Sequence, residues 1–126
     1  MSRRDPMPVV LASALLLALS TPARAQDPAA GEQLFRSDCS VCHSPKPGRN
    51  LVGPSLFHVV NRPSGQIPGF PYSEANRKSG LTWSVATLDR YLTAPRELVP
   101  GTKMSFSGVK DAKQRADLIA YLTTLH

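Results

Sequence analysis

Cys39-Ser40-Val41-Cys42-His43 sets two thiols three positions apart and places an imidazole directly behind them. That spacing is the one used to attach a c-type haem. Two thiols so placed reach the two vinyl groups on one edge of a porphyrin and form thioethers. The next residue then turns its imidazole onto the iron as proximal ligand. The competing uses of C-x-x-C are a plain disulfide, a thioredoxin-like redox pair and half of a zinc site. Zinc wants further cysteines or closely spaced histidines, and only His58 and His126 remain. A redox pair belongs in a βαβ pattern, which the chain lacks.

An iron held by one imidazole can take a second axial donor, although a loop methionine taken alone is more often a packing residue. Of the three methionines, Met1 and Met7 lie in the N-terminal apolar segment, which leaves Met104. It sits in the constrained loop Pro100-Gly101-Thr102-Lys103-Met104. Thioether–imidazole ligation raises a haem potential. Pro54 has a supporting role, because a ligating histidine gives its other ring N–H to a carbonyl and the loop after His43 supplies one. Arg62, Tyr72, Ser73, Asn76 and Trp83 bring one charge and several donors that suit buried propionates.

The first residues read as a processed leader. Arg3 and Arg4 precede the apolar run Val9 to Leu19, and Ala23-Arg24-Ala25 supplies the small-x-small pattern of a cleavage point. Residues 1–25 are therefore expected to be a secretory signal peptide, with 26–126 as one domain. The alternative is an uncleaved tether, disfavoured by the short apolar run. No later stretch is long or apolar enough to span a membrane. Export implies a periplasmic location. Without Arg3, Arg4, Arg24 and Asp5, the 15 basic and 9 acidic residues become 12 and 8, a net charge of +4 before any propionates. The basic residues are scattered, so no nucleic-acid footprint is present.

A domain of this size has a marginal protein core, and a covalently held apolar cofactor supplies the missing centre. Asp27-Pro28 is a helix start, with Leu34 and Phe35 on one face and Gly31 permitting a close crossing. Residues 44–54 and 62–80 are rich in proline and glycine and read as loops, the second long enough to need something large beneath it. Val85, Leu88, Tyr91 and Leu92 recur at helical spacing until Pro95. Asp111 caps a last helix, with Gln114 in capping-box position and Arg115, Leu118, Ile119, Leu122 and Leu125 repeating along it. The expected class is all-α, with short helices and long loops.

With C-S-V-C-H, G-P-S-L, T-W, P-G-T-K-M-S-F and D-L-I-A-Y-L in this order, the chain resembles class I, mitochondrial-type cytochrome c, in its exported bacterial branch. The resemblance runs from about Gly31 to Leu122. It implies the small cytochrome c fold wrapped around one haem c, with thioethers at Cys39 and Cys42 and axial ligands His43 and Met104. It assigns the Pro54 carbonyl to His43, and Arg62, Tyr72, Ser73, Trp83 and Thr102 to the propionates. Tyr91 and Asn76 match the polar pair near the methionine sulfur, and Phe106 the aromatic beside the exposed haem edge. Gly31 and Phe35 match the first-helix face that crosses the last helix at Leu118 and Tyr121. The family's ring of lysines is thinned: Gln33, Asp38, Leu51, Glu97 and Asp111 stand at several of its positions, and Arg96, Lys103 and Lys110 stay basic. His58 and Asn61 stand where glycine is expected, and His58 is read as a surface or packing residue.

The implied function is one-electron transfer by a soluble, monomeric periplasmic carrier, without catalysis. Its partners would be transient: a bc1-type complex or a dehydrogenase as donor, and an oxidase, reaction centre or peroxidase as acceptor. The rival readings are a dedicated acceptor subunit of one dehydrogenase, or a haem enzyme or gas binder with a labile Met104.

Overall fold

The computed structural model describes residues 25–126, so the expected leader lies outside the described residues apart from Ala25. Five α-helices follow in order: α1 Pro28–Leu34, α2 Glu74–Lys78, α3 Val85–Thr93, α4 Pro95–Leu98 and α5 Ala112–Thr123. Among the described residues the one extended pairing is an isolated antiparallel bridge between Pro63 and Thr82. The all-α expectation stands.

α1 begins where Asp27 accepts hydrogen bonds from the Ala29 and Ala30 amides, with Pro28 inside the first turn. The Asp27 amide itself donates to Asp117 Oδ1 at 2.8 Å, which pins the start of α1 onto α5. Gly31 lets the two backbones touch: a Cβ there would overlap the Asp117 carbonyl and lie 2.9 Å from Tyr121 Cβ. Phe35 and Leu118 are fully buried at this crossing, and the Phe35 and Tyr121 rings lie 5.3 Å apart. Beyond Leu34 the helix widens into one π-turn, Phe35–Cys39, closed by the Ser40 amide on the Phe35 carbonyl at 2.9 Å. Two hydroxyls take up neighbouring carbonyls, Ser37 Oγ on Leu34 and Ser40 Oγ on Arg36. Sequence periodicity carries no mark of this turn.

α5 begins as expected, with the Gln114 amide donating to Asp111 Oδ1 at 2.8 Å. It is held to α3 by Arg115, whose Nε donates to Asp89 and Nη1 to the Val109 carbonyl. α3 is capped by Ser84 on the Thr87 amide and buries Leu88, Tyr91 and Leu92. Val85, expected on the same apolar face, is 49% exposed at the first helical position. Two further corrections concern the loops. Ser73 caps a short α2 inside the segment read as irregular, and Pro95, beyond which α3 does not run, also starts a short α4. Proline is well suited to a first helical turn because its missing N–H has no partner there. Leu125 lies past the end of α5 yet packs against the core.

Apart from α2, residues 54–83 are organised by backbone pairing between their two ends. The Trp83 amide donates to Arg62, that of Asn61 to Trp83, and that of Ser64 to Leu81. These bonds draw the two ends of the long loop together beside a cavity.

Candidate functional site

The cavity has a volume of about 500 Å³ and lies between the end of the π-turn, the 54–83 loop, α3, α5 and the loop before α5. Its walls are mostly apolar, with Leu56, Val59, Leu88, Leu92, Leu118 and Leu122 contributing. All the residues singled out from sequence line it except Thr102: Cys39, Cys42, His43, Pro54, Arg62, Tyr72, Ser73, Asn76, Trp83, Tyr91, Met104 and Phe106. Thr102 stands one contact away. Its hydroxyl meets Tyr91 Oη at 3.2 Å and accepts from the Met104 amide at 3.3 Å, so it joins the methionine loop to α3.

The turn after the π-segment fixes the three motif residues. The Cys42 and His43 amides both donate to the Cys39 carbonyl, at 3.0 and 2.9 Å. Cys39 and Cys42 are unpaired. Burial, with Asp38 and Cys42 nearby, pushes the Cys39 thiol up to about 11. A redox-active C-x-x-C needs a stabilised thiolate, so this environment argues against that use. A thioether carries no proton and suits the same burial without cost.

His43 Nδ1 lies 2.7 Å from the Pro54 carbonyl oxygen. A carbonyl only accepts, so Nδ1 carries the proton and the neutral ring keeps its lone pair on Nε2. Burial pushes the imidazolium down, against the pull of that hydrogen bond, and so favours the neutral, ligating form. Gly53 makes the fit possible. A Cβ at this position would collide with the ring, 2.6 Å from Nδ1. Reading the sequence missed Gly53 as a site residue; the signal was its place directly before Pro54.

Two buried polar atoms have no partner among the described residues: Arg62 Nε and Asn76 Oδ1. Arg62 Nη1 is used, donating to the Ser55 and Phe57 carbonyls at 2.9 and 3.0 Å. A guanidinium with its buried Nε–H unpartnered on an apolar cavity is the complement of an acidic group carried in with a ligand. Burial lowers its pKa, although an arginine stays charged. Ser73 is buried, and its Oγ accepts the Asn76 amide at 3.1 Å, so its first duty is to cap α2. Tyr72 Oη accepts from the Ile67 amide at 3.3 Å. Trp83 and Tyr91 stack with centroids 4.6 Å apart. Burial pushes the Tyr91 hydroxyl up and the Thr102 hydrogen bond opposes it, so Tyr91 remains a neutral donor. The mouth of the cavity carries Val41 and Val52, 80% and 79% exposed.

These residues fit a haem. They offer two thiols, one imidazole lone pair and one thioether around an apolar space, with a spare cationic donor on its wall. Within the cavity a metal held by protein side chains alone is a poor match, because no group of three His, Cys, Asp or Glu clusters there among the described residues.

Comparison with known proteins agrees. A family model described as Cytochrome c matches residues 28–126. The chain is 52% identical over 99 residues to cytochrome c2 of Rhodopila globiformis, covering 79% of this chain and 93% of that protein. It is 50% identical over 109 residues to cytochrome c2 of Blastochloris viridis, covering 86% and 85%. Among solved structures, cytochrome cH from Methylobacterium extorquens superposes with a TM-score of 0.73 at 46% identity, over 78% of this chain and 98% of that one. The chain belongs to the cytochrome c family, with the one covalently attached haem c and the electron-carrier role, rather than an enzymatic one, that membership brings.

Proposed function

We propose that this protein carries single electrons in the periplasm between membrane-associated or soluble redox partners, through a haem fixed at Cys39 and Cys42 and ligated by His43 and Met104. The observation that carries this reading is the meeting of the C-x-x-C-H turn and Met104 on one apolar cavity, with His43 Nδ1 engaged by Pro54. Residues 1–25 are taken as the export signal, removed before the folded domain 26–126 begins. Bound haem c supplies an iron that cycles between the ferric and ferrous states.

The protein's own part is to hold that centre still. Pro54 orients His43 and strengthens it as a donor by accepting from Nδ1. Tyr91 and Thr102 tie the loop that carries Met104 to α3, which limits its movement when the charge at the centre changes. His43 and Met104 would hold the iron between them, and the side chains would do no bond chemistry. Arg62 would offer its free Nε–H to the propionates, and Leu56, Val59, Leu118 and Leu122 would keep water out. Phe106, Val41 and Val52 border the mouth, where a partner approaches in a brief encounter of small interface. Candidate donors are a bc1-type complex or a dehydrogenase, and candidate acceptors an oxidase, reaction centre or peroxidase.

The test is the optical spectrum of the exported protein, reduced and oxidised. Reduced bands typical of a thioether-linked haem, together with the weak long-wavelength sulfur-to-iron band of the oxidised form, are expected. Loss of the sulfur band alone would remove Met104 as ligand. Absence of haem would overturn the reading.

A further inference from the structure

A second cluster of potential ligands lies away from the cavity, where the loop after Phe57 meets the end of the chain. Neither His58 nor His126 lines the haem cavity. Their rings face each other with centroids 6.3 Å apart and planes inclined at 61°. We propose that His58 and His126 form a surface site for a divalent transition-metal ion that prefers imidazole, with Zn²⁺ as its type.

Four observations support the pairing. The His58 amide donates to the Leu125 carbonyl at 2.7 Å, so the backbones that carry the two rings are fixed to one another. The Phe57 ring stands edge-on to His58, 4.5 Å between centroids, and restricts its orientation. His126 Nδ1 lies 3.1 Å from the Thr123 carbonyl oxygen. That oxygen can only accept, so Nδ1 is protonated and Nε2 is left with the lone pair, which is how ligating histidines are commonly set. Finally, both rings are exposed, so an ion reaches them from solvent without opening the fold.

The spacing is compatible with a shared ion. Zinc about 2.0–2.1 Å from one nitrogen of each ring holds the ring centroids roughly 5–6.4 Å apart, depending on the angle at the metal. The observed separation lies at the wide end of that span, which corresponds to a nearly linear angle at the metal, so side-chain rotation must bring the rings to roughly 5 Å before they hold a tetrahedral ion. Its chemistry is selective. No carboxylate joins the pair in a three-residue cluster among the described residues, which leaves the other coordination positions to water. Two imidazoles without carboxylates favour Zn²⁺, Cu²⁺ or Ni²⁺ over Ca²⁺ or Mg²⁺.

The backbone at His58 adds a means of separating ligand from scaffold. Its φ is 53°, in the left-handed region that glycine enters more readily than any other residue. His58→Gly therefore removes the ring while suiting the backbone. If His58 were present for folding alone, that variant would lose stability; if the ring serves an ion, the metal-free variant melts no lower than the parent.

The experiment uses the complete haem-loaded protein in a non-chelating buffer. Zn²⁺ is titrated calorimetrically, and thermal melts are recorded with and without the ion for the parent, His58→Gly, His126→Gln and the double variant. One Zn²⁺ per chain is expected in the parent, with a melting point that rises on binding because the ion joins the loop to the end of α5. Each single variant should lose at least tenfold in affinity, and the double variant little more. Affinities within threefold of the parent in both single variants, or no saturable uptake by the parent, would overturn the proposal and leave the two rings as a stacked pair.

Discussion

The α1–α5 crossing and the wall of the haem cavity are built from the same chain on opposite principles. At the crossing every large group meets protein: Gly31 against Asp117, Phe35 against Tyr121, the Asp27 amide on the Asp117 carboxylate. Along the cavity, long loops present Arg62 Nε and Asn76 Oδ1 with no protein partner, and apolar side chains face a space of about 500 Å³. One region is finished by the polypeptide, and the other is finished by what it binds. The difference teaches where the fold keeps order without its cofactor: the crossing should hold first and the 54–83 loop last.

The strongest way to break that contrast is at Gly31. Gly31→Val forces α1 and α5 apart, and overpacking against backbone should cost about 3 kcal/mol or more. Urea unfolding of the haem-loaded protein reads this directly. A loss below about 1 kcal/mol would mean that the crossing is looser than described. On the cavity side, Met104→Ala should cost about 2 kcal/mol, as truncation of a half-buried methionine does. It should also lower the midpoint potential and open the ferrous iron to carbon monoxide. Voltammetry and a carbon monoxide difference spectrum check both, and a variant that keeps the parental potential excludes Met104 as ligand.

Gly53→Ala sharpens the comparison because it adds one methyl group and touches only the cavity side. The added Cβ meets the His43 ring, so the imidazole must turn off the Pro54 carbonyl. The expected cost is about 1–2 kcal/mol together with a changed ligand-field spectrum. Gly48→Ala, whose Cβ meets nothing within 4 Å, should leave the spectrum unaltered, its φ of +67° adding backbone strain but no contact with the ring.

The smallest effect belongs to Asp117. The Lys113 ammonium and the Asp27 amide hold its carboxyl below the ordinary range. An acid whose pKa is depressed by folding contributes stability above its unfolded pKa, about 3.9, and loses it as pH falls through the folded value. Asp117→Asn should therefore flatten the part of the stability profile below about pH 4 and leave the slope near neutrality alone. Acid titration of unfolding for both proteins is the check. An unchanged acid limb would show that Asp117 does not link α1 to α5 through its charge.

Much of this was legible in the chain, for reasons that differ by element. α1 and α5 announce themselves because Asp27 and Asp111 cap them, and α3 because Val85, Leu88, Tyr91 and Leu92 repeat at helical spacing. α2 and α4, only 5 and 4 residues long, carry no such period. Helices that short exist only because tertiary contacts pay for nucleation. The cavity residues were legible because C-x-x-C-H and the lone remaining methionine state their chemistry in residue type. Gly53 was not, since its contribution is the absence of an atom beside His43. Leu118 and Leu122 read as helix core, which they are; that they also wall the cavity depends on which elements stand opposite.

The π-turn at Phe35–Cys39 has a consequence for phase. An α-helix advances about 100° per residue, so a helix that must present Phe35 to one neighbour and Cys39 to another is bound to a fixed angle between them. A wider turn holds one extra residue and resets that angle without lengthening the helix by a full step. The two ends of this segment can therefore be aimed separately, one at α5 and the other at the cofactor. Forcing ordinary α winding through Phe35–Cys39 with every residue kept would leave the crossing in register and swing Cys39 away from the cavity.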